Sequence, residues 1–208
     1  MIIDDLPKKI AVFPLTGAIF FPKTTLPLNI FEKRYIQLVD DCMKEKKLFG
    51  MIQSKSKTDI YSIGCLGKIV SFNETADNRF IIALLGVTRF KIRKELETKK
   101  LYREFEVDYK DFTDDLLPLQ MDQDKFDNKL LLKKIKLFLD KKKYLIKFSE
   151  LEKLSFDEMI NAISMISPFS VEEKQKLVEA PSIHEKAKAL DEIVNFNLLD
   201  DFNSKTLQ

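Results

Sequence analysis

Three prolines, Pro14, Pro22 and Pro27, punctuate the stretch from Ile10 to Tyr35 (IAVFPLTGAIFFPKTTLPLNIFEKRY), and no other feature limits so sharply what the front of this chain can form. Between them lie three short apolar runs, Ile10 to Leu15, Ala18 to Phe21 and Leu26 to Phe31. Runs this short, rich in β-branched and aromatic residues and bounded by Pro and Gly, read as buried strands rather than helices. Proline lacks the N–H that a central ladder requires, so each of the three belongs at a strand end, an edge or a bulge. The third run leads straight into a charged helical start.

That helix is expected from Glu32 to Lys46, with Tyr35, Leu38, Val39, Cys42 and Met43 on one face at i, i+3, i+4, i+7 and i+8. Strands are expected again at Leu48 to Gln53, Ile63 to Phe72 and Phe80 to Ile92, the last two joined by the turn-forming Asn73 to Asn78. From Tyr102 to Tyr109, apolar Phe105, Val107 and Tyr109 alternate with Glu104, Glu106 and Asp108, the signature of a strand with one wet face. Strands with only one helix among them point to a mostly antiparallel sheet rolled into a compact, barrel-like body. Around Pro118 the period changes from 2 to 3.6, which places a domain boundary there, dividing the chain into 1–118 and 119–208. Asp124 to Tyr144 reads as one long helix. Three more helices start at the capping-box patterns Ser155-Phe156-Asp157-Glu158, Ser170-Val171-Glu172-Glu173 and Ser182-Ile183-His184-Glu185. Four helices with short connections pack as a small bundle.

Several ordered blocks carry a family resemblance. Phe13-Pro14-Leu15, Phe21-Pro22 and Pro27-Leu28-Asn29-Ile30-Phe31-Glu32-Lys33-Arg34-Tyr35 closely resemble the opening of the N-terminal substrate-binding domain of Lon proteases. Leu48-Phe49-Gly50-Met51-Ile52, Ile63-Gly64-Cys65-Leu66-Gly67-Lys68-Ile69 and Leu84-Leu85-Gly86-Val87-Thr88-Arg89-Phe90 look like its later blocks, in the same order. Ser164-Met165-Ile166-Ser167-Pro168, followed by Val171 to Leu177, resembles its helical part, so the similarity runs roughly from Ile10 to Phe196. The resemblance implies an α+β fold, a β-rich PUA-like pseudo-barrel followed by a C-terminal helical bundle. It also implies a module that holds unfolded or tagged polypeptides for a protease or chaperone. A full-length Lon continues into an ATPase module and a serine-lysine protease domain, whereas this sequence stops at Gln208, so the expectation is a non-catalytic adaptor or weak holdase.

The residue chemistry agrees with a non-enzymatic reading. His184 is the one histidine and sits in a helix start with no nucleophile or orienting partner suggested nearby. Gly64-Cys65-Leu66-Gly67-Lys68 lacks phosphate-loop spacing and carries Ile69 where a hydroxyl is needed, so its glycines mark a bulge or tight strand packing. Cys42 and Cys65 belong to no CxxC pair, which argues against metal or redox chemistry and fits a reducing cytoplasm; no cofactor is implied. Apolar runs such as Ile81 to Leu85 are far shorter than the ~20 residues a membrane span needs, and Asp4 and Asp5 stand where an export signal would be basic. The balance of 35 basic and 33 acidic residues argues against nucleic acid. An RNA-associated PUA-like module and a scaffold for one folded partner remain as alternatives. Gripping unfolded chains requires an exposed apolar patch. The sequence offers Phe20, Phe21 and Leu26, with Met51 further off, although adjacent strand residues point to opposite faces, so at least one of Phe20 and Phe21 also reads as core. Glu32, Arg34 and Tyr35 carry the strongest resemblance, and at a strand-to-helix junction they also read as a structural tie.

Overall fold

In the computed structural model, which describes residues 3–117 and 128–206, the apolar runs of the N-terminal half become six strands. They are β1 (Lys9–Leu15), β2 (Thr25–Ile30), β3 (Leu48–Gln53), β4 (Ile63–Glu74), β5 (Phe80–Leu96) and β6 (Arg103–Asp108), with helix α1 (Lys33–Met43) between β2 and β3. The chain divides into two compact units, Met1–Leu117 and Pro118–Gln208. Its architecture is α+β, a β-rich sheet together with several helices.

Five strands close on themselves in the order β1-β3-β4-β5-β6, because β6 pairs with both β1 and β5. One pair departs from the antiparallel expectation, since β1 and β3 run parallel, Val12 opposite Gly50 and Leu15 opposite Gln53. Parallel neighbours need a long crossover, and here β2 and α1 together supply it. The ring interior is filled by Ile10, Val12, Leu48, Ile52, Leu66, Phe90, Phe105 and Val107. Tyr35, Leu38, Val39 and Cys42 of α1 are buried, as the helical spacing predicts. Burial also raises the Cys42 thiol to about 12, so it stays protonated and packs as a small apolar side chain.

The run from Ala18 to Phe21, expected as a strand, forms none. Gly17, with φ at +76°, turns the chain before it, and a turn at Pro22 and Lys23 closes it behind. The intervening residues lie across β5, where Gly86 accepts from the Lys23 amide and donates to the Thr24 carbonyl, each at 2.9 Å. A Cβ on Gly86 would run into the Phe21 carbonyl, so only glycine lets the two backbones approach this closely.

After β6 a 3₁₀ segment, Lys110–Leu116, is fastened to β5 by a buried ion pair. Arg89 reaches both oxygens of Asp115: its Nε and its own amide donate to Oδ2 and its Nη2 to Oδ1, all at 2.9 Å. The guanidinium also covers the Phe112 ring, 4.4 Å from its centroid.

The second unit contains α2 (Asn128–Lys141), the single-turn α3 (Phe148–Leu151), α4 (Phe156–Ile166), α5 (Val171–Glu179) and α6 (Ile183–Thr206). The α3 turn has no counterpart in the sequence reading. Pro118 and residues 124–127, where that reading places the boundary and the start of the first long helix, lie outside the described residues. Ser170 forms a full capping box: its Oγ accepts the Glu173 amide at 3.1 Å and its own amide donates to Glu173 Oε2 at 2.8 Å. At Ser155 the amide donates to Glu158 Oε2 at 3.0 Å, and Ser182 Oγ accepts the Glu185 amide at 3.2 Å. Helices α2, α4 and α5 all pack on α6, whose Ala187, Leu190 and Val194 meet a core that includes Leu131, Ile135, Ile160, Ile163 and Leu177. Ile166, the last residue of α4, is partly exposed.

Candidate functional site

The long strand β5 sets up the candidate surface. One of its edges lines β4 from Phe80 to Lys91, while the other is shared, β2 lying opposite residues 80–85 and β6 opposite 91–96. Strands β2, β5 and β4 therefore extend beyond the ring as a three-stranded lobe. Directly opposed residues on antiparallel strands share a face. The register then puts Thr25, Leu85 and Lys68 in one row of the outer face, Pro27, Ala83 and Ser71 in the next, and Asn29, Ile81 and Asn73 in the third. The alternate rows, Leu26-Leu84-Ile69, Leu28-Ile82-Phe72 and Ile30-Phe80-Glu74, make the inner face, where the Phe72 and Phe80 rings pack tilted at 56° with centroids 4.9 Å apart.

Along β5 burial follows this division, while Phe72 of β4, on the inner face, is itself 38% exposed. Phe80, Ile82 and Leu84 are buried, whereas Ile81 and Leu85 on the outer face are 48% and 38% exposed and Ala83 lies half-buried between them. Short uncharged polar residues, Thr25, Asn29, Ser71 and Asn73, flank that apolar stripe; Lys68 brings the single charge in the three rows. Phe31, immediately after β2, is 64% exposed, and Val70, at a register shift in β4, is also exposed. An apolar stripe with a polar rim is the surface composition of a contact site.

Strand β2 is an edge, pairing with β5 alone among the described residues. Because the Gly86 amide donates to the Thr24 carbonyl, the even-numbered residues of β2 point their backbone groups at β5, and Thr25, Pro27 and Asn29 point theirs to the open side. Pro27 has no N–H to offer there, so the open edge lacks a donor at its centre. That notch makes it a poor template for an added strand. Contact through outer-face side chains is therefore favoured over strand addition.

The sequence candidates fall elsewhere. Phe20 and Phe21 are 3% and 0% exposed and Met51 is 3%, so none offers surface to a polypeptide. Leaving the strand conformation is what lets adjacent Phe20 and Phe21 both turn inward. Leu26 is half-buried on the inner face of the lobe. At the start of α1 the Glu32 carboxylate accepts from Arg34 at 2.7 and 2.8 Å. The Arg34 guanidinium lies 4.5 Å from the Tyr35 ring centre, and that ring stacks on Phe13 at 3.9 Å. These contacts bind the junction to β1. Sequence reasoning passed over Ile81 and Leu85, yet a signal was present: Phe80 to Leu85 is apolar at every position, where a strand with one wet face should alternate. Among the described residues no group of three His, Cys, Asp or Glu side chains could hold a metal ion, and no helix is long and apolar enough to cross a membrane.

Comparison with known proteins gives this surface its context. The family model described as the ATP-dependent protease La (LON) substrate-binding domain matches residues 9–195. The chain belongs to that family. Membership points to a substrate-binding module. The Lon protease of Syntrophus aciditrophicus (strain SB) is 25% identical over 214 residues, covering 94% of this chain and 26% of that protein. The Lon protease of Dictyoglomus thermophilum is 29% identical over 106 residues, covering 48% of this chain and 13% of that protein. The chain thus spans about a quarter or less of the length of these relatives, and the match lies within the substrate-binding domain. The Lon N-terminal domain protein from Xanthomonas campestris superimposes with a TM-score of 0.63 at 19% identity, over 88% of this chain and 96% of that one. The N-terminal domain of the Mycobacterium avium complex Lon protease gives the same TM-score at 16% identity, over 90% and 98%. At such identities these likenesses speak for the fold.

Proposed function

We propose that this protein binds unfolded polypeptide on the outer face of the β2-β5-β4 lobe, with Ile81 and Leu85 as anchors and Pro27, Ala83 and the exposed Phe31 as flanking apolar surface. The observation that carries this reading is the rimmed apolar stripe on a sheet face where Ile81 and Leu85 stand exposed. Unfolded segments present apolar side chains without a fixed shape, and a flat stripe with little charge accepts many such sequences. Family membership supports polypeptide as the ligand class. On the same footing the β unit is assigned a PUA-like pseudo-barrel and the helical unit a small bundle, and the whole acts as an adaptor or weak holdase in the cytoplasm, handing clients to a protease or chaperone rather than cleaving them.

The test is fluorescence anisotropy of a labelled, permanently unfolded polypeptide titrated with the full chain at low and high salt. Saturable binding that survives high salt, and weakens at least about tenfold in the Ile81→Ser/Leu85→Ser variant while its melting curve stays cooperative, is the expected result. Unchanged affinity in that variant would remove the lobe from consideration.

A further inference from the structure

The helical unit carries a second surface of different chemistry. From Lys129 to Lys147 the sequence KLLLKKIKLFLDKKKYLIK holds eight lysines against a single acid, Asp140, in a chain whose formal charge is only +2. Helix α2 turns Leu131, Ile135, Phe138 and Leu139 into its own unit. Its other side exposes Lys129, Lys133 and Lys136 around Leu130 and Leu137, two leucines at i and i+7 that are each about half exposed. Lys142, Lys143, Tyr144 and Leu145 continue this surface past the helix end, with Leu145 fully exposed. There the Tyr144 amide donates to the Leu139 carbonyl at 2.9 Å, closing the last turn. Lys136, Asp140, Tyr144, Leu145, Lys147 and Phe148 line a hollow of about 380 Å³ beside it. Lysines in a final turn complement the helix dipole, but Lys129, Lys133 and Lys136 lie too far from the C-terminus to serve that end.

We infer that this face docks an acidic polypeptide segment carrying large apolar side chains, its carboxylates meeting the lysines, one apolar side chain entering the hollow and another lying along Leu130 and Leu137. Charge complementarity fixes the sign of the partner, and the exposed leucines fix its class. Phosphate backbones need only the cations. A membrane-surface helix needs a broad apolar face, and the broad apolar face of α2 is used inside its own unit. The inference is independent of the lobe, since it rests on a charged surface in the other unit.

The experiment titrates the full chain into a labelled peptide of glutamates and aspartates bearing one Phe and one Leu. Parallel titrations use the same peptide with Phe and Leu replaced by Ser, a labelled single-stranded oligonucleotide, and vesicles rich in an anionic phospholipid. The acidic apolar peptide should bind best, lose at least about tenfold in affinity at high salt, and lose as much in the K133E/K136E/K143E variant; the Ser-substituted peptide should bind several-fold more weakly. Far-UV circular dichroism verifies the variant, and K133Q/K136Q/K143Q repeats the test without added repulsion. Tighter binding of the oligonucleotide or the vesicles, equal binding of the Ser-substituted peptide, or wild-type affinity in folded variants of both kinds would overturn the inference.

Discussion

Replacing Asp115 with Ala should destabilise the N-terminal unit far more than loss of a surface ion pair would. Arg89 is only 2% exposed, and its guanidinium nitrogens donate to both Asp115 oxygens at 2.9 Å. Without that carboxylate the guanidinium stays buried, and breaking such a pair costs about 3–5 kcal/mol. The Asp115 side chain retains 11% exposure, so water can partly replace it, and the low end, about 3 kcal/mol, is the better figure. At about 4 °C per kcal/mol for a domain of this size, melting should fall by about 12 °C. Circular dichroism melts and urea titrations of the full chain measure this directly. The double variant Arg89→Met/Asp115→Leu should recover much of the loss, because neither charge then remains in the interior. A cost below about 1 kcal/mol for Asp115→Ala, the range of exposed pairs, or a double variant as unstable as the single one, would refute the argument.

Three further outcomes follow from the packing. Gly86→Ala, which sets a Cβ against the Phe21 carbonyl, should cost about 1–3 kcal/mol as an overpacked site does, read as a lower urea midpoint. The Phe20→Ser/Phe21→Ser variant should lose its cooperative thermal transition, since each buried phenylalanine is worth about 3–5 kcal/mol. Burial pushes the Glu104 carboxyl up, but hydrogen bonds from Lys9, Thr98 and Lys100 outweigh it and hold it below 4.5. Its contribution is therefore present at neutral pH and lost as pH falls through the folded-state value; Glu104→Gln should lower the urea midpoint at pH 7 and narrow the gap between pH 7 and acid.

Local pattern was legible wherever a residue's environment depends on its near neighbours. The strand at Leu48–Gln53 has the predicted bounds, α1 buries four of the five residues its spacing names and leaves Met43 half-buried, and the Ser170 box forms from its four-residue signature. What depended on distant partners was not legible. Glu104 sits on the face of β6 that alternation calls wet, yet it is buried because Lys9 and Lys100 reach it at 3.1 and 3.2 Å. Lys186 is buried in α6 because Asn161 of α4 accepts its ammonium proton at 2.7 Å. The burial of Phe20 and Phe21 was illegible for a similar reason. Side-by-side aromatic residues at Phe20-Phe21 announce a large apolar contribution but not its direction, which a turn at Gly17 and a glycine on β5 decide.

The divided edge of β5 has a kinetic consequence. Because β2 is held by residues 80–85 and the ring is closed through residues 91–96, β2 can separate from its neighbour while every pairing of the ring persists. Such an opening is a sub-global fluctuation with its own, smaller free energy. In hydrogen exchange the β5-facing amides of Leu26, Leu28 and Ile30 should lose protection well before those of β1, β3 and β6, and each excursion would uncover Phe80, Ile82 and Leu84 as transient apolar surface beside the stripe already exposed.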